Sequence, residues 1–266
     1  MKTLIHYMPS KTNTHYTIPK TVEWIGKHSF YKCKNLRQVI LTENVSFVGN
    51  NVFSDCDNIT LINNSPHFTY KNGLLYNADM TQVYHYSMGS NIKHVVIEEG
   101  TRTIGRNAFW NSKQIESITI PSTVRQIGYN PFANCINAKF INNSLHYQLL
   151  DGIIYSKDLK ELVCCTDKVA RSGFDLPKAL VSIGRNAFVG CKSLEQISLP
   201  ENVKYISRGA FSGCVNLHSV KLSENITAIG DWAFNNCVSL KNICIPKNIK
   251  IHPNTFNNTQ TRVTII

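Results

Sequence analysis

The chain has 266 residues, of which 42% are hydrophobic and 17% are charged, a composition that excludes disordered and coiled-coil proteins and allows a large buried core. The formal net charge of +11 favours anionic partners without choosing among acidic polysaccharides, nucleic acid and acidic proteins. No apolar run reaches the roughly 18 residues of a membrane span, and the first residues lack the apolar segment of a signal peptide.

The N-terminal residues belong to a pattern that recurs later in the chain. Residues 4–7 (LIHY) match residues 83–86 (VYHY), which lie 83 − 4 = 79 positions further on. The later copy is the second half of an inserted element, so the chain begins part of the way through a repeat. We therefore expect a fragment of a longer array or a shortened gene product.

A phenylalanine repeat runs through the chain. Its members are Phe30, Phe53, Phe109, Phe132, Phe188, Phe211, Phe234 and Phe256. Neighbouring members are about 23 residues apart, except across two longer gaps that are equal to each other, since 109 − 53 = 188 − 132. The hexapeptide IGRNAF ends at both Phe109 and Phe188, which are separated by one short spacing and one long gap. It is therefore one position of a register that spans the chain.

Each repeat unit contains a short strand followed by a compact turn. In residues 191–214 (CKSLEQISLPENVKYISRGAFSGC), the segment LEQISL ends in an alternation of apolar and polar residues, which predicts a strand with one buried face. The apolar residues of the IGxxAFxxC segment are three to four apart, which predicts a short helical or 3₁₀ turn. We expect its Gly, as at Gly105 and Gly184, to adopt a positive φ or to permit close backbone approach.

Stacking of these coils predicts an α/β repeat solenoid. One coil of about 23 residues cannot bury its apolar face alone, whereas neighbouring coils bury it against each other with about 4.8 Å between strands. We expect a single right-handed solenoid over residues 1–266, with one strand and one helical or 3₁₀ turn in each coil.

Two insertions interrupt the regular coils, at about residues 63–91 and 142–170. Each contains a turn-forming pair, Asn72-Gly73 in the first and Asp151-Gly152 in the second, followed by a short apolar run. This pattern predicts a β-hairpin added to a coil. The last coil, about residues 247–266, lacks the repeat Cys, and we expect it to be a degenerate capping coil or a second truncation.

The consensus of the coils, LxxIxLPxxVxxIGxxAFxxCxxL, with the inserted pattern DGxxYxxDxxxL, resembles the BspA-like (Treponema-type) leucine-rich repeat proteins. The resemblance covers essentially the whole chain, although PxxV replaces the xxNxL segment of the commoner leucine-rich repeat. It implies surface-exposed or secreted proteins, some of them involved in adhesion to host matrix proteins or to other cells. It implies no catalytic activity.

Six of the nine cysteines lie three positions after a repeat Phe: Cys33, Cys56, Cys135, Cys191, Cys214 and Cys237. This inward position predicts small buried hydrophobic residues rather than a metal or disulfide ladder. We expect Cys164-Cys165 to be ordinary strand residues and Cys244, between two isoleucines, to point outward. The nine His residues form no metal-ligand motif, and nucleotide-binding and nucleophile motifs are missing from the sequence. We therefore predict no metal site, no cofactor and no catalytic residue.

Basic residues recur at two positions of the coils. Three residues before the repeat Phe stand Lys27, Arg106, Arg185 and Arg208, and four residues after it stand Lys34, Lys113 and Lys192. Stacked coils would align them in rows on the outer, turn-bearing side. Such rows are either a solvated face or an electrostatic stripe for polyanions such as acidic glycans. Nucleic acid is a less favoured partner, because aromatic residues for base stacking are not interleaved with these positions.

The exposed side of the strands is the second candidate surface. Alternation predicts that these side chains point outward: Gln38, Ile40, Ser117, Thr119, Phe140, Gln196, Ser198, Ser219, Lys221, Asn242 and Cys244. Ile40 and Phe140 are the apolar exceptions in a mostly small and polar set. Solenoids commonly bind ligands with the face that their strands form, so this surface is either a flat binding site or a plain solvent face.

These features, together with the location that the resemblance implies, predict a non-catalytic binding or adhesion module of a cell-surface or secreted protein. Its partner would be a protein, such as a host matrix protein, or an acidic glycan, bound through the strand face or the basic rows. The alternative is a cytoplasmic scaffold or regulatory interaction protein, which reduced cysteines would suit. An enzyme acting on polysaccharide ranks last, because the strand faces carry almost no carboxylates to act as acid and base.

Overall fold

The structure, a computed structural model, describes residues 2–8, 12–53, 56, 58–172, 174–247 and 249–266, and their side chains except those of residues 171 and 172. The chain forms two compact units, Met1–Phe132 and Ala133–Ile266, called here the N-terminal and C-terminal units. Each unit is a stack of coils made of short strands and tight turns. No helix among the described residues is long and apolar enough to cross a membrane.

The N-terminal unit contains two kinds of parallel ladder. Its described elements are β1 (Thr3–Leu4), β2 (His15–Thr17), β3 (Trp24–Ile25), β4 (Gln38–Leu41), β5 (Phe47–Val48), β6 (Thr60–Asn63), β7 (Phe68–Lys71), β8 (Leu74–Asn77), β9 (Gln82–Tyr86), a 3₁₀ turn (Met88–Ser90), β10 (His94–Val96), β11 (Thr103–Ile104), β12 (Ser117–Ile120) and β13 (Gln126–Ile127). The strands predicted from the sequence form the first ladder, in the groups β2-β4-β6 and β10-β12. A second ladder of mostly two-residue strands joins β1-β3-β5 and β9-β11-β13.

The C-terminal unit repeats this arrangement. Its described elements are β14 (Lys139–Asn142), β15 (Tyr147–Leu150), β16 (Ile153–Ser156), β17 (Glu161–Cys164), α1 (Asp167–Ser172), β18 (Ser182–Ile183), β19 (Gln196–Ser198), β20 (Tyr205–Ile206), β21 (Ser219–Lys221), β22 (Ala228–Ile229), β23 (Asn242–Ile245), β24 (Lys250–Ile251) and β25 (Arg262–Ile265). First-ladder strands pair as β19-β21 and β23-β25, and β17, β18, β20, β22 and β24 form the second ladder.

The second ladder corrects the prediction of one strand per coil. Most of its strands consist of the two residues before the repeat Gly, and they pair in parallel, as where Trp24 and Ile25 align with Phe47 and Val48. In these two strands the inner residue is buried and the outer one is exposed. Two residues are too few to show an alternating pattern, so the sequence alone predicts only a helical turn in this part of the coil.

That helical turn was also predicted wrongly, because tight turns take its place. Among the described residues, helical segments are limited to Met88–Ser90 and Asp167–Ser172, both outside the IGxxAFxxC segments. The Asn residues of the two IGRNAF copies, Asn107 and Asn186, both have φ of 56°. A residue with left-handed φ ends a helical turn. A second left-handed residue follows a few positions later in the segment, as at Asn111, with φ of 62°. Each unit is therefore a β-solenoid rather than an α/β repeat.

The repeat Gly is required for close backbone approach. A Cβ atom on Gly105 would collide with the carbonyl oxygen of Val83, and one on Gly184 would collide with the carbonyl oxygen of Leu162. Neither glycine has a positive φ, so of the two predicted reasons only the packing reason applies. The side chain is excluded because a strand of the preceding coil, β9 for Gly105 and β17 for Gly184, passes directly against this position.

We expect Gly184→Ala to lower the free energy of unfolding by about 2 kcal/mol, since the added methyl group overpacks a backbone contact that cannot rotate away. Ser207 occupies the same position in the next coil and already carries a side chain. Ser207→Ala is therefore the matched control, with an expected change of less than about 0.5 kcal/mol. Urea unfolding followed by circular dichroism measures both, and equal losses would contradict this packing.

Both insertions contain the expected hairpin and extend the second ladder. The turn residues Asn72 and Gly73 have φ of 50° and 75°, and Asp151 and Gly152 have φ of 49° and 78°. Two consecutive positive φ values are the signature of a type I′ turn, which suits an Asn-Gly or Asp-Gly pair. Each hairpin gains a third antiparallel strand, β9 or β17, which then pairs in parallel with β11 or β18.

The repeat phenylalanines stack through the core. In the C-terminal unit Phe211 lies between Phe188 and Phe234, with ring centroids 5.1 and 5.3 Å away and interplanar angles of 9° and 4°. Phe256 continues the column at 5.4 Å from Phe234. All but Phe256 are fully buried, so this column is the main apolar contribution of the turn segments to stability.

His85 takes a ring position in the N-terminal core. Its ring centroid lies 5.1 Å from that of Phe53, which in turn stacks on Phe30 at 5.2 Å. Burial lowers the pKa of His85 to about 4. His85 is therefore neutral near pH 7 and serves as an aromatic packing residue.

Candidate binding surfaces

The outward side of β2, β4 and β6 forms one surface, called here the N-terminal face. Its side chains are His15, Thr17, Gln38, Ile40, Thr60 and Ile62. The register aligns Gln38 with His15 and Thr60, and Ile40 with Thr17 and Ile62. Ile40 and Ile62 thus form an apolar pair on adjacent strands, and Ile62 is 40% exposed. Gln38 and Ile40 point outward as predicted, whereas Ile62 was missed.

The outward side of β10 and β12 carries a second group in the same unit. Ser117 and Thr119 lie on this side, as predicted, and align with His94 and Val96. His94 Nδ1 lies 3.0 Å from Ser117 Oγ, which holds both polar groups in a local hydrogen bond. Val96 is 56% exposed and is the apolar residue of this group.

The C-terminal unit exposes a more polar strand face. Its exposed outward residues are Gln196, Ser198, Ser219, Lys221, Asn242 and Cys244, as predicted. The register aligns Gln196 with Ser219 and Ser198 with Lys221. Gln196, Ser198 and Ser219 line an open cleft of about 730 Å³, which Asp175 and Glu195 also line. Hydrogen-bonding groups rather than an apolar patch therefore dominate this face.

Phe140 does not belong to an exposed face. Its side chain is 6% exposed, whereas the neighbouring Ile141 is 49% exposed. Phe140 lies one regular coil length after Ser117 (140 − 117 = 23), whereas the equivalent coil of the N-terminal unit pairs Thr60 with Gln38 at a shorter offset (60 − 38 = 22). A coil that is one residue short exchanges buried and exposed positions, because side chains alternate along a strand. Phe140 is thus a core residue, and Ile141 takes the outward position.

The basic rows are partly as predicted. Lys27, Arg106, Arg208, Lys34, Lys113 and Lys192 are exposed, and Arg185 is half-buried. Lys27 and Arg106 lie in the N-terminal unit, and Arg185 and Arg208 lie in the C-terminal unit. Arg185 and Arg208 belong to adjacent coils, since the backbone N–H of Asn186 donates to the carbonyl of Arg208 at 3.1 Å.

Arg208 is held by residues of its own unit. Its guanidinium lies 3.7 Å from Asp231 Oδ2 and 4.2 Å from the centroid of the Trp232 ring. Asp231 occupies the basic position in the next coil, and its Oδ1 lies 2.9 Å from His252 Nδ1. In this unit a carboxylate therefore follows Arg208 in the row of basic residues. This negative charge weakens the attraction of the row for a polyanion.

The repeat cysteines are buried thiols that bond to the preceding coil. Cys214 Sγ donates to the carbonyl of Phe188 at 3.1 Å, and Cys237 Sγ donates to that of Phe211 at 3.1 Å. All the described cysteines are thiols rather than disulfides, and only Cys244 among them is exposed, as predicted. No group of three or more His, Cys, Asp or Glu side chains within the described ranges could hold a metal ion.

We expect one thiol per native chain to react quickly with an aromatic disulfide reagent, and nine to react after unfolding in guanidinium chloride. Burial raises the pKa of Cys33 to about 11 and that of Cys237 to about 12, and thiolate is the reactive form. Absorbance of the released thiolate counts the reactive groups. Cys244→Ser should abolish the fast phase, and a second fast thiol in the native protein would contradict the burial of the ladder.

The second ladder exposes aromatic residues that the sequence analysis missed. Trp24 and Phe47 lie on adjacent strands and are 37% and 44% exposed, with ring centroids 4.9 Å apart. Tyr205 holds the same position in the C-terminal unit and is 48% exposed. In the sequence each of these aromatic residues directly precedes the Ile or Val that points inward from the second ladder. This pattern indicates an exposed ring only once the second ladder is known.

Comparisons with known proteins agree with this architecture. A sequence profile for the BspA type leucine rich repeat region matches in six copies, over residues 7–139, 80–163 and 164–266. The solved structure of a leucine rich cell surface protein from Faecalibacterium prausnitzii A2-165 is similar, with 25% identity and a TM-score of 0.63 over 94% of this chain and 72% of the other. A leucine-rich repeat protein from Eubacterium ventriosum shares the fold, with 19% identity and a TM-score of 0.51 over 93% of this chain and 65% of the other. No curated protein sequence matches the chain.

Proposed function

Because the chain belongs to the BspA-type leucine-rich repeat family, we propose that it is a non-catalytic protein-binding module of a cell-surface or secreted protein. The similar structure from Faecalibacterium prausnitzii is that of a cell surface protein, which supports this location. Solenoids of stacked repeats present extended surfaces whose strand faces are available to ligands.

The N-terminal face is the observation that carries this proposal. The half-buried Ile40 and the exposed Ile62 form an apolar pair, and polar side chains surround it on the same three strands. An apolar centre with a polar rim is the usual arrangement of a protein–protein interface. Ser117 and Thr119, with the exposed Val96, form a second surface of the same kind within this unit.

The favoured ligand is a protein, with host matrix proteins as the first class to test. An acidic glycan bound by the basic rows is the other ligand class. Arg208 supports it less well, because Asp231 and Trp232 already contact its guanidinium. Lys27 and Arg106 are exposed and remain the best residues for that mode.

Salt dependence separates the two ligand classes. The purified chain is assayed against immobilised extracellular-matrix proteins and heparin at about 0.1 M and about 1 M sodium chloride, where the screening lengths are about 10 Å and about 3 Å. Binding through the N-terminal face should persist at the higher concentration. Binding that is confined to heparin and lost at the higher concentration, or no binding at all, would overturn the proposal.

A cytoplasmic scaffold is the second candidate function. The observation that favours it is the set of nine cysteines, all thiols among the described residues, with Cys244 exposed. Reduced cysteines are typical of reducing compartments, although buried thiols also persist elsewhere. Protease treatment of intact cells that produce the native protein distinguishes the two, because only a surface protein is digested from outside.

A further inference from the structure

The second ladder of the N-terminal unit carries an exposed aromatic pair that has no role in the core. Trp24 and Phe47 are aligned residues of β3 and β5, and their rings are 4.9 Å apart with an interplanar angle of 35°. The core rings Phe30 and Phe53 of the same unit are at most 2% exposed. Two large rings that are 37% and 44% exposed therefore form an apolar ridge on the surface.

A shallow, open polar cleft is lined by residues that lie next to the two rings in the chain. It has a volume of about 630 Å³, and its lining includes Lys2, Lys20, Glu23, Glu43, Asn44 and Ser46. Glu23 directly precedes Trp24, and Ser46 directly precedes Phe47, so the cleft lies at the beginning of the strands that carry the two rings. The two rings and part of the cleft lining are therefore adjacent residues at the start of β3 and β5.

The charges of the cleft balance, in contrast to those of the whole chain. Lys20 Nζ and Glu43 Oε1 form an ion pair at 3.0 Å, and Lys2 and Glu23 add one charge of each sign. The lysine and glutamate charges thus sum to zero in a protein whose formal net charge is +11. Such a cleft gives no electrostatic advantage to a polyanion, and it offers hydroxyl, amide, carboxylate and ammonium groups for hydrogen bonds.

We propose that Trp24, Phe47 and this cleft bind a neutral carbohydrate chain. A pyranose ring has an apolar C–H face, which packs on an aromatic ring, and a rim of hydroxyl groups, which hydrogen-bond to a polar cleft. The uncharged, hydroxyl-rich character of such a chain matches the balanced charge of the cleft. This surface is separate from the strands of the N-terminal face, so protein binding and sugar binding can each fail without the other.

Calorimetric titration with three soluble probes, cellohexaose, maltohexaose and N-acetylchitohexaose, tests the proposal, with heparin as the anionic comparator. At least one neutral probe should bind, and its affinity should be the same at about 0.1 M and about 1 M salt. Trp24→Ala and Phe47→Ala should each lower that affinity about 10-fold or more, since truncation of a central aromatic contact commonly has this effect.

Trp232→Ala is the matched control, because Trp232 is 38% exposed but lies in the C-terminal unit. This variant should bind the neutral probe as the wild type does, and all three variants should keep the wild-type circular dichroism spectrum. The proposal is overturned when no neutral probe binds, when heparin displaces the bound probe, or when Trp24→Ala and Phe47→Ala bind as well as Trp232→Ala. Loss of protein binding in Trp24→Ala without any sugar binding would assign this surface to a protein partner instead.

Discussion

The substitution Phe140→Asp is expected to unfold the C-terminal unit, whereas Ile141→Asp at the adjacent position is expected to leave it folded. Phe140 is 6% exposed and Ile141 is 49% exposed. Replacement of a buried Phe by a small side chain alone costs about 3–5 kcal/mol, and a buried carboxyl group adds a desolvation penalty. The sum is comparable with the whole stability of a typical domain, about 5–15 kcal/mol. At Ile141 the expected loss is less than about 1 kcal/mol.

Urea unfolding followed by Trp232 fluorescence measures this contrast. Of the three tryptophans only Trp232 lies in the C-terminal unit, and Trp24 and Trp110 report on the other unit, so Trp→Phe replacements of those two isolate the signal. Phe140→Leu keeps the apolar character and should retain the fold. If Ile141→Asp were the more destabilising variant, Phe140 would face solvent and its coil would have the same length as the regular coils.

Phe211→Ala is expected to lower the free energy of unfolding by about 3–5 kcal/mol. Phe211 is fully buried and its ring lies between two parallel rings, so its removal leaves a cavity that neither neighbouring coil can fill. Phe256→Ala should cost less, because Phe256 is half-buried and stacks on Phe234 alone among the described rings. Tyr205→Ala, at a residue that is 48% exposed, should change the stability by less than about 1 kcal/mol.

The same unfolding measurement compares these three variants. The loss of stability should be largest for Phe211→Ala, smaller for Phe256→Ala and smallest for Tyr205→Ala. This order follows from the number of stacked neighbours and from burial. Equal costs for Phe211→Ala and Phe256→Ala would show that the phenylalanine column does not act through stacking between coils. A large cost for Tyr205→Ala would show that the outward side of the second ladder is part of the packed core.

The repeat sequence predicted most of the core but not the path of the backbone. The identical sequence motif that ends at Phe109 and Phe188 was enough to predict the inward residues. Each coil buries one face, so the same apolar positions must recur. Asn107 shows why the turns were missed: its left-handed φ replaces a helix by separate turns, although the apolar spacing is that of a helix. The two-residue strands were missed because such a strand is defined by its partner and not by its own residues.

The candidate surfaces were predicted only where the coils are regular. Ser198 and Lys221 were placed correctly because β19 and β21 belong to coils of regular length, in which these two residues align. Phe140 was placed wrongly because one residue is missing before the insertion, and a single deletion inverts every later side chain of a strand. Arg208 was placed on the correct side, but its contact with Asp231 depends on packing between coils that one repeat does not reveal.

Binding of the double variant Ile40→Asp/Ile62→Asp, compared with Lys27→Ala/Arg106→Ala, decides whether the N-terminal face carries the proposed function. Both variants change side chains that are exposed or half-buried, so both should fold as the wild type does. Against the panel of matrix proteins at about 1 M salt, the first variant should lose affinity by about 10-fold or more, and the second should bind as the wild type does. Undiminished binding by the Ile40→Asp/Ile62→Asp variant would contradict the assignment of ligand recognition to this face.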